Sequence, residues 1–223
     1  MQPDIAYVKG VTGRIPGRLG DYHSRLALIG FLLGLPAERC ASLFQHTVYD
    51  TMGYYGAFEE AIVEAKRREA GVQIPGTPLI ERFARRGMCF MSQNHPTSFL
   101  IAPYATLVAR KLAARGLVET PRSALRHKEL VNFLGYGPVF PIFPEIARRH
   151  EMPLPGNYVF RTATAGNIPS RALSLQQFLE QEYAAFGVAG TDRLARANSE
   201  NPAIRRSLKD ESLRNFLMAV ATG

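Results

Sequence analysis

Apolar positions along the first third of the chain recur at two different spacings. Ile5-Ala6-Tyr7-Val8 is a short continuous run, which predicts a strand. Leu26, Leu28, Ile29, Leu32 and Leu33 fall at helical spacing, and Asp21 stands where a capping residue would start that helix. Between the two, Gly10 to Gly20 holds four glycines and a proline around Arg14 and Arg18, so it reads as a loop. Pro36 suits the first turn of a further helix carrying Cys40, Leu43 and Phe44. Beyond the connection Met52-Gly53-Tyr54-Tyr55-Gly56, Phe58, Ile62 and Ala65 share one helical face, with Glu59, Glu60, Glu64, Lys66 and Arg67 on the wet side. Pro78 opens a short helix with Leu79, Ile80 and Phe83.

Met88-Cys89-Phe90-Met91 is an apolar run bounded by Gly87 and Asn94, which predicts a buried strand. Pro96 then introduces a long helix to about Ala114, with Leu100, Tyr104, Leu107 and Leu112 on its apolar face and a kink at Pro103. Asn132 to Asn157 is rich in glycine, proline and aromatics and reads as ordered but irregular. Tyr158-Val159-Phe160 is a strand candidate, Ser174 caps a helix through Phe178 and Tyr183, and a terminal helix covers Ala203 to Ala219. The fold class expected is α/β, predominantly helical with a few short strands. The 223 residues fit one domain, or the C-terminal portion of a larger fold.

Composition refines this picture in three ways. A hydrophobic share of 46% against 21% charged is that of a globular chain, not a disordered one. The formal net charge of +8 favours an anionic small molecule as partner. The cations are dispersed in clusters such as Lys66-Arg67-Arg68 and lack interleaved aromatics, so no nucleic-acid role is expected. The longest apolar stretch, Leu26 to Leu35, is too short to span a bilayer, and the start does not read as a signal peptide; a cytoplasmic setting is the expectation. Oligomeric state is not legible. Cys40 and Cys89 read as buried free thiols, and no metal-type spacing joins them to a histidine.

Chemistry concentrates in two segments, Asp21-Tyr22-His23-Ser24 and Asn94-His95-Pro96-Thr97. Pro96 keeps His95 out of the helix that follows, so the imidazole stands at the helix start, where the dipole disfavours imidazolium and leaves a base. The alternative is a histidine that only orients the junction. His23, in the first turn after Asp21, sits beside Ser24 and Arg25, and these with backbone N–H groups suit a phosphate. An ordinary helical first turn is the alternative there. The Gly10–Gly20 loop, with Arg14 and Arg18, lacks the lysine and hydroxyl of a P-loop, which favours a plain surface loop. The Asn94-His95 pair does not extend to the acyltransferase pattern with an aspartate five residues on, because that position is Leu100.

Several stretches together resemble the WcbI-like capsular polysaccharide biosynthesis proteins. They are Pro3-Asp4-Ile5-Ala6-Tyr7, Gly20 to Arg25, Phe90-Met91 leading into Asn94-His95-Pro96, Pro141 to Ile146, Tyr158 to Arg161 and Leu173 to Leu179. The likeness runs over about residues 3 to 187. It implies a coenzyme A-binding protein that transfers an acetyl group from acetyl-CoA to a hydroxyl of a capsule sugar. In that reading His95, or His23, is the general base and Asn94 or backbone N–H groups steady the oxyanion. Arg25, Ser24, Arg14 and Arg18 hold the cofactor's phosphates. The family also resembles a fold with an upstream Gly-Asn-Cys-type turn that has no counterpart here, so a fragment with incomplete activity is a further expectation. A non-catalytic module for an anionic glycan or nucleotide-sugar is the competing class.

Overall fold

The computed structural model describes residues 4–10, 13–131, 133–153, 158–164 and 168–223; Pro3, Asn132 and Asn157, named above, lie outside them. Strand β1 (Ile5–Tyr7) pairs antiparallel with β2 (Tyr22–Ser24), with Ala6 opposite His23. Between them the chain is bridged at Lys9–Arg14 and again at Gly17–Gly20, where it makes a tight turn. Helix α1 (Arg25–Leu32) follows directly and is buried along Leu26 to Gly30. A helix so enclosed needs neighbours on all sides. They are α2 (Ala37–Cys40) and three helices from the far end of the chain.

Next come α3 (His46–Thr51), α4 (Ala57–Arg68), α5 (Thr77–Ala84), α6 (Ser98–Ala113) and α7 (Pro144–Arg149). A two-stranded antiparallel pair, β3 (Phe160–Arg161) with β4 (Ala172–Leu173), precedes α8 (Leu175–Ala189). The chain closes with α9 (Thr191–Ala197), α10 (Pro202–Lys209) and α11 (Glu211–Thr222). Helices dominate and the strands are few and short, as the pattern predicts.

The main core forms where α1, α2 and α3 meet α8 to α11 and the aromatics Phe140, Phe143 and Phe160. Phe160 and Phe178 stack at 3.8 Å, carrying β3 onto α8. Close packing of α1 requires Gly30: a Cβ there would come within 2.5 Å of the Cys40 sulfur. Among the described residues, 57–139 contribute nothing to this core. They make a separate layer in which α4 buries no residue fully and α5 only Thr77. Phe58, Ile62 and Ala65 of α4 instead face an apolar cavity of ≈ 700 Å³, counted with the solvent at its mouth, together with Ile80 and Cys89.

Four local expectations are corrected. The first helix is capped by Ser24, not Asp21, because its hydroxyl accepts from the Ala27 N–H at 3.0 Å while residues 22–24 are drawn into β2. Met88 to Met91 is no strand; only Phe90 bridges to Pro96, while Cys89 O accepts the Thr97 N–H and Met91 O the Phe140 N–H, each at 2.8 Å. The long helix begins at Ser98, with Thr97 as the residue before it, so Pro96 lies outside. The terminal helix is two: Asp210 ends α10 and its carboxylate caps α11 through the Leu213 N–H. The capping box predicted to start at Ser174 is present, completed by Gln177.

Candidate functional site

Side chains alternate across a strand, so neighbours in β2 serve opposite faces. His23 points to the helical core and Tyr22 to the loop 92–95, and the two expected histidine segments therefore meet through Tyr22. That alternation sorts the chemistry of the whole region.

On the inner face Asp4, fully buried at the start of β1, closes the N-terminus of α1. Its carboxylate accepts the Leu26 N–H at 2.9 Å, the Tyr54 hydroxyl at 2.7 Å and the Ser24 hydroxyl, while its backbone carbonyl accepts the Arg25 N–H at 2.7 Å. Burial pushes the Asp4 carboxyl above the usual range, against these donors and the Arg25 charge. The positive end of a helix is an anion site. Here the protein's own carboxylate fills it. Ser24 is fully buried and spent on this network, and Arg25 serves it through its charge.

His23 is also fully buried. Its Nδ1 lies 3.1 and 3.2 Å from the two Glu182 oxygens and its Nε2 2.7 Å from the Ile15 carbonyl. A carbonyl only accepts, so Nε2 carries a hydrogen. Burial opposes a charge on His23, but the Glu182 hydrogen bond and charge, with the Ile15 carbonyl, outweigh it and raise the pKa above the ordinary value. Glu182 also accepts the Ser24 N–H at 3.0 Å, tying α8 to β2. Gly17 is required by the same contact: a Cβ would come within 2.9 Å of the imidazole. The glycine loop thus makes room for the His23 imidazole.

The outer face is open to solvent. The buried ring of Tyr22 forms its floor, with Tyr7 at 5.2 Å and Phe140 at 6.3 Å. The Tyr22 hydroxyl donates to Oδ1 of the exposed Asn94, which leaves the amide N–H groups of Asn94 as donors. His95, half-buried, stands edge-on to Tyr22 at 6.1 Å, and its Nδ1 lies 2.9 Å from the Ser92 hydroxyl. With Nδ1–H donating to Ser92, Nε2 is left as an acceptor. The histidine is fixed in place by its backbone too, since the His95 carbonyl accepts the Met91 N–H at 2.8 Å.

Arg14 completes this face. Its guanidinium lies 4.0 Å above the Tyr7 ring and pairs with Asp21 at 3.2 Å. Tyr7 has its phenol pKa raised, first by the Tyr22 hydroxyl beside it, and remains a donor. Arg18 is exposed at the second turn of the loop. The structure therefore gathers Asn94, His95 and Arg14 around Tyr22, sets His23, Ser24 and Arg25 on the other face, and leaves Arg18 apart. His95 lies two residues before Thr97, so its surroundings are side chains and not the helix terminus expected from Pro96. Burial pushes the Cys40 thiol up to about 12 and raises that of Cys89, which disfavours the thiolate at both.

Asp4, Ser92 and Glu182 were not singled out for a role by sequence reasoning. Ser92 had a usable signal, a hydroxyl three residues before a histidine in a loop. Glu182 had none, being separated from His23 by 159 positions and appearing as one more polar residue on α8. No group of three or more metal-ligating side chains occurs among the described residues.

Among curated proteins, none matches the chain by sequence. One solved structure shares its fold, with a TM-score of 0.59 at 16% identity over 99% of this chain and 67% of the other. That structure is WcbI, described as a novel polysaccharide biosynthesis enzyme, in its native form without a disulfide bond between coenzyme A and one of its cysteines. Residues 1–117 match the family model of the polysaccharide biosynthesis enzyme WcbI. These residues carry both strands β1 and β2, the Tyr22–Asn94–His95 constellation and α6, and the chain belongs to the WcbI family of polysaccharide biosynthesis enzymes.

Proposed function

We propose that this chain transfers the acetyl group of acetyl-CoA to a sugar hydroxyl during capsular polysaccharide biosynthesis. The observation that carries the reading is the meeting of Asn94 and His95 over Tyr22, with Ser92 at the far nitrogen of the imidazole. Coenzyme A, when bound, supplies an activated acyl group as a thioester. His95 Nε2 takes the proton of the attacking hydroxyl and later returns it to the departing sulfur, so the proton count closes. An Asn94 amide N–H donates to the carbonyl oxygen as it gains charge. This direction of transfer uses the tautomer in which the Ser92 hydroxyl accepts from Nδ1–H.

The fit of the donor's phosphates to these residues favours the outer face. Ser24 and Arg25 are poor hosts, since Asp4 already occupies the α1 terminus and would repel an anion there. Arg14 is exposed beside Tyr7 and is the better placed of the expected cations, once released from Asp21. A cytoplasmic setting accompanies an acetyl-CoA donor.

The test is acetyl transfer from labelled acetyl-CoA to a panel of capsule sugars. His95→Ala is expected to lower the rate by about 10²–10⁴-fold with an unchanged melting curve. Equal rates for His95→Ala and the parent chain would remove the histidine from this role.

A further inference from the structure

The apolar side of α4 is not closed by protein. Phe58, Ala61, Ile62 and Ala65 fall at i, i+3, i+4 and i+7 and line one wall of the ≈ 700 Å³ cavity, and α5 contributes Ile80 and Ala84, one turn apart. Three of these six side chains are alanines, too short to fill the space between two helices. The hydroxyl and amide side chains on the wall are already engaged. The Ser92 hydroxyl is paired with His95, and Gln93 Nε2 donates to the Ile5 carbonyl at 3.2 Å. A sugar brings hydroxyls that would lose water here without finding partners, whereas a hydrocarbon loses nothing.

A smaller space of ≈ 430 Å³, counted in the same way, adjoins this one, and Phe58, Ala84 and Met152 line both. Met152 is unbranched and flexible, so the boundary between the two can yield. Tyr54 and Ile146 continue the apolar wall, but here Arg85 and His150 line it too. Arg85 is exposed just past the end of α5; His150 is half-buried, with its ring edge-on to Phe58 at 6.0 Å. Glu59 stands 4.0 Å from His150 Nδ1, beyond hydrogen-bond reach, at a position 60% exposed where solvent screens it. The two spaces together offer an aliphatic interior with a guanidinium and an imidazole at one end.

We propose that they hold a linear saturated fatty acid, with its chain between α4 and α5 and its carboxylate at Arg85 and His150. A guanidinium pairs with a carboxylate through paired N–H donors, and a narrow aliphatic wall takes an unbranched chain. An alcohol or amine of the same length has the chain without the complementary charge. The inference does not rest on acetyl transfer, because it concerns the binding of a molecule that the proposed reaction does not use. A chain filling the larger cavity lies against Ser92, so its presence reaches His95 through one hydrogen bond.

Calorimetric titration of the full chain with hexanoate, octanoate and decanoate tests it, at about pH 7.5, where a carboxylic acid is ionised. Affinity is expected to rise about three- to fourfold for each added methylene until the space is filled. Controls with 1-octanol and octylamine should bind more weakly than octanoate. Arg85→Gln changes only an exposed side chain and should weaken octanoate by about tenfold while leaving 1-octanol as it was. Ala65→Leu fills the larger cavity and should weaken both by about tenfold or more. Should that variant fail to fold, Arg85→Gln decides alone. The proposal is overturned by an absence of saturable octanoate binding, by 1-octanol or octylamine binding as tightly as octanoate, or by parental octanoate affinity in either folded variant.

Discussion

The helices around α1 and those in the layer of residues 57–139 have very different interiors. In the first, Leu26, Ala27, Leu28 and Ile29 are successive residues with no exposed surface, so every side of the helix is packed. In the second, twelve residues of α4 contain none that is buried, and the apolar side of the helix lines a cavity. The candidate site draws on the second region, from which Asn94 and His95 project. A tightly packed interior resists displacement and fixes distances, whereas a layer with few buried contacts leaves room for ligands and local motion. The strand pair β1–β2 stands between the two and gives one face to each.

This contrast can be broken most severely at Glu182. Glu182→Ala leaves an uncompensated His23 in the interior and is expected to cost about 3–5 kcal/mol in a urea titration, if the variant folds at all. Leu28→Ala, in the middle of α1, should cost about 2–5 kcal/mol by the same measurement, through the cavity it leaves.

A milder perturbation is pH. The folded pKa of His23 is raised, so its contribution is complete below the unfolded value near 6.5 and is lost as pH rises through the folded value. The raised carboxyl of Glu182 acts in the same direction at lower pH. Stability of the parent chain should therefore fall as pH rises above 6.5, relative to His23→Gln; a parallel pH dependence of the two chains would refute the charged pair. The change is smaller than for Glu182→Ala because only a proton leaves. The smallest effect belongs to the outer layer: Leu107→Ala, at a position 39% exposed, should shift stability by no more than about 0.5 kcal/mol. A loss as large as that of Leu28→Ala would mean that the two regions are one cooperative interior.

Reading the chain from its pattern recovered the elements whose cause is local. The Ser174–Gln177 capping box, Pro36 before α2 and the amphipathic α4 each rest on residues within one or two turns of one another. The corrections came where a local signal had a remote competitor. Asp21 is a good capping residue, but β1 claims residues 22–24 for a strand and passes the cap to Ser24. Met88 to Met91 has the apolar character of a strand but finds only an isolated bridge, because its backbone bonds are divided between residues around Pro96 and the remote Phe140.

The candidate site divides in the same way. Both histidine segments were legible as chemistry, since histidine, asparagine and serine at helix starts have recognisable uses. Their roles were not. His23 and His95 read as two versions of one geometry, and the difference between them is the face of a strand on which Tyr22 and His23 fall.

By itself the sequence determined the helical character, the location of most helices, the family likeness and the two segments that bear reactive side chains. These depend on residue type and spacing over a few turns, which a linear pattern contains. Only the tertiary structure decided that Asp4 occupies the anion position of α1, that Glu182 holds His23 inside, and that Tyr22 joins Asn94 to His95 at the surface. Each of those contacts links positions more than twenty residues apart, where chain connectivity imposes no distance and the packing of other elements imposes all of it.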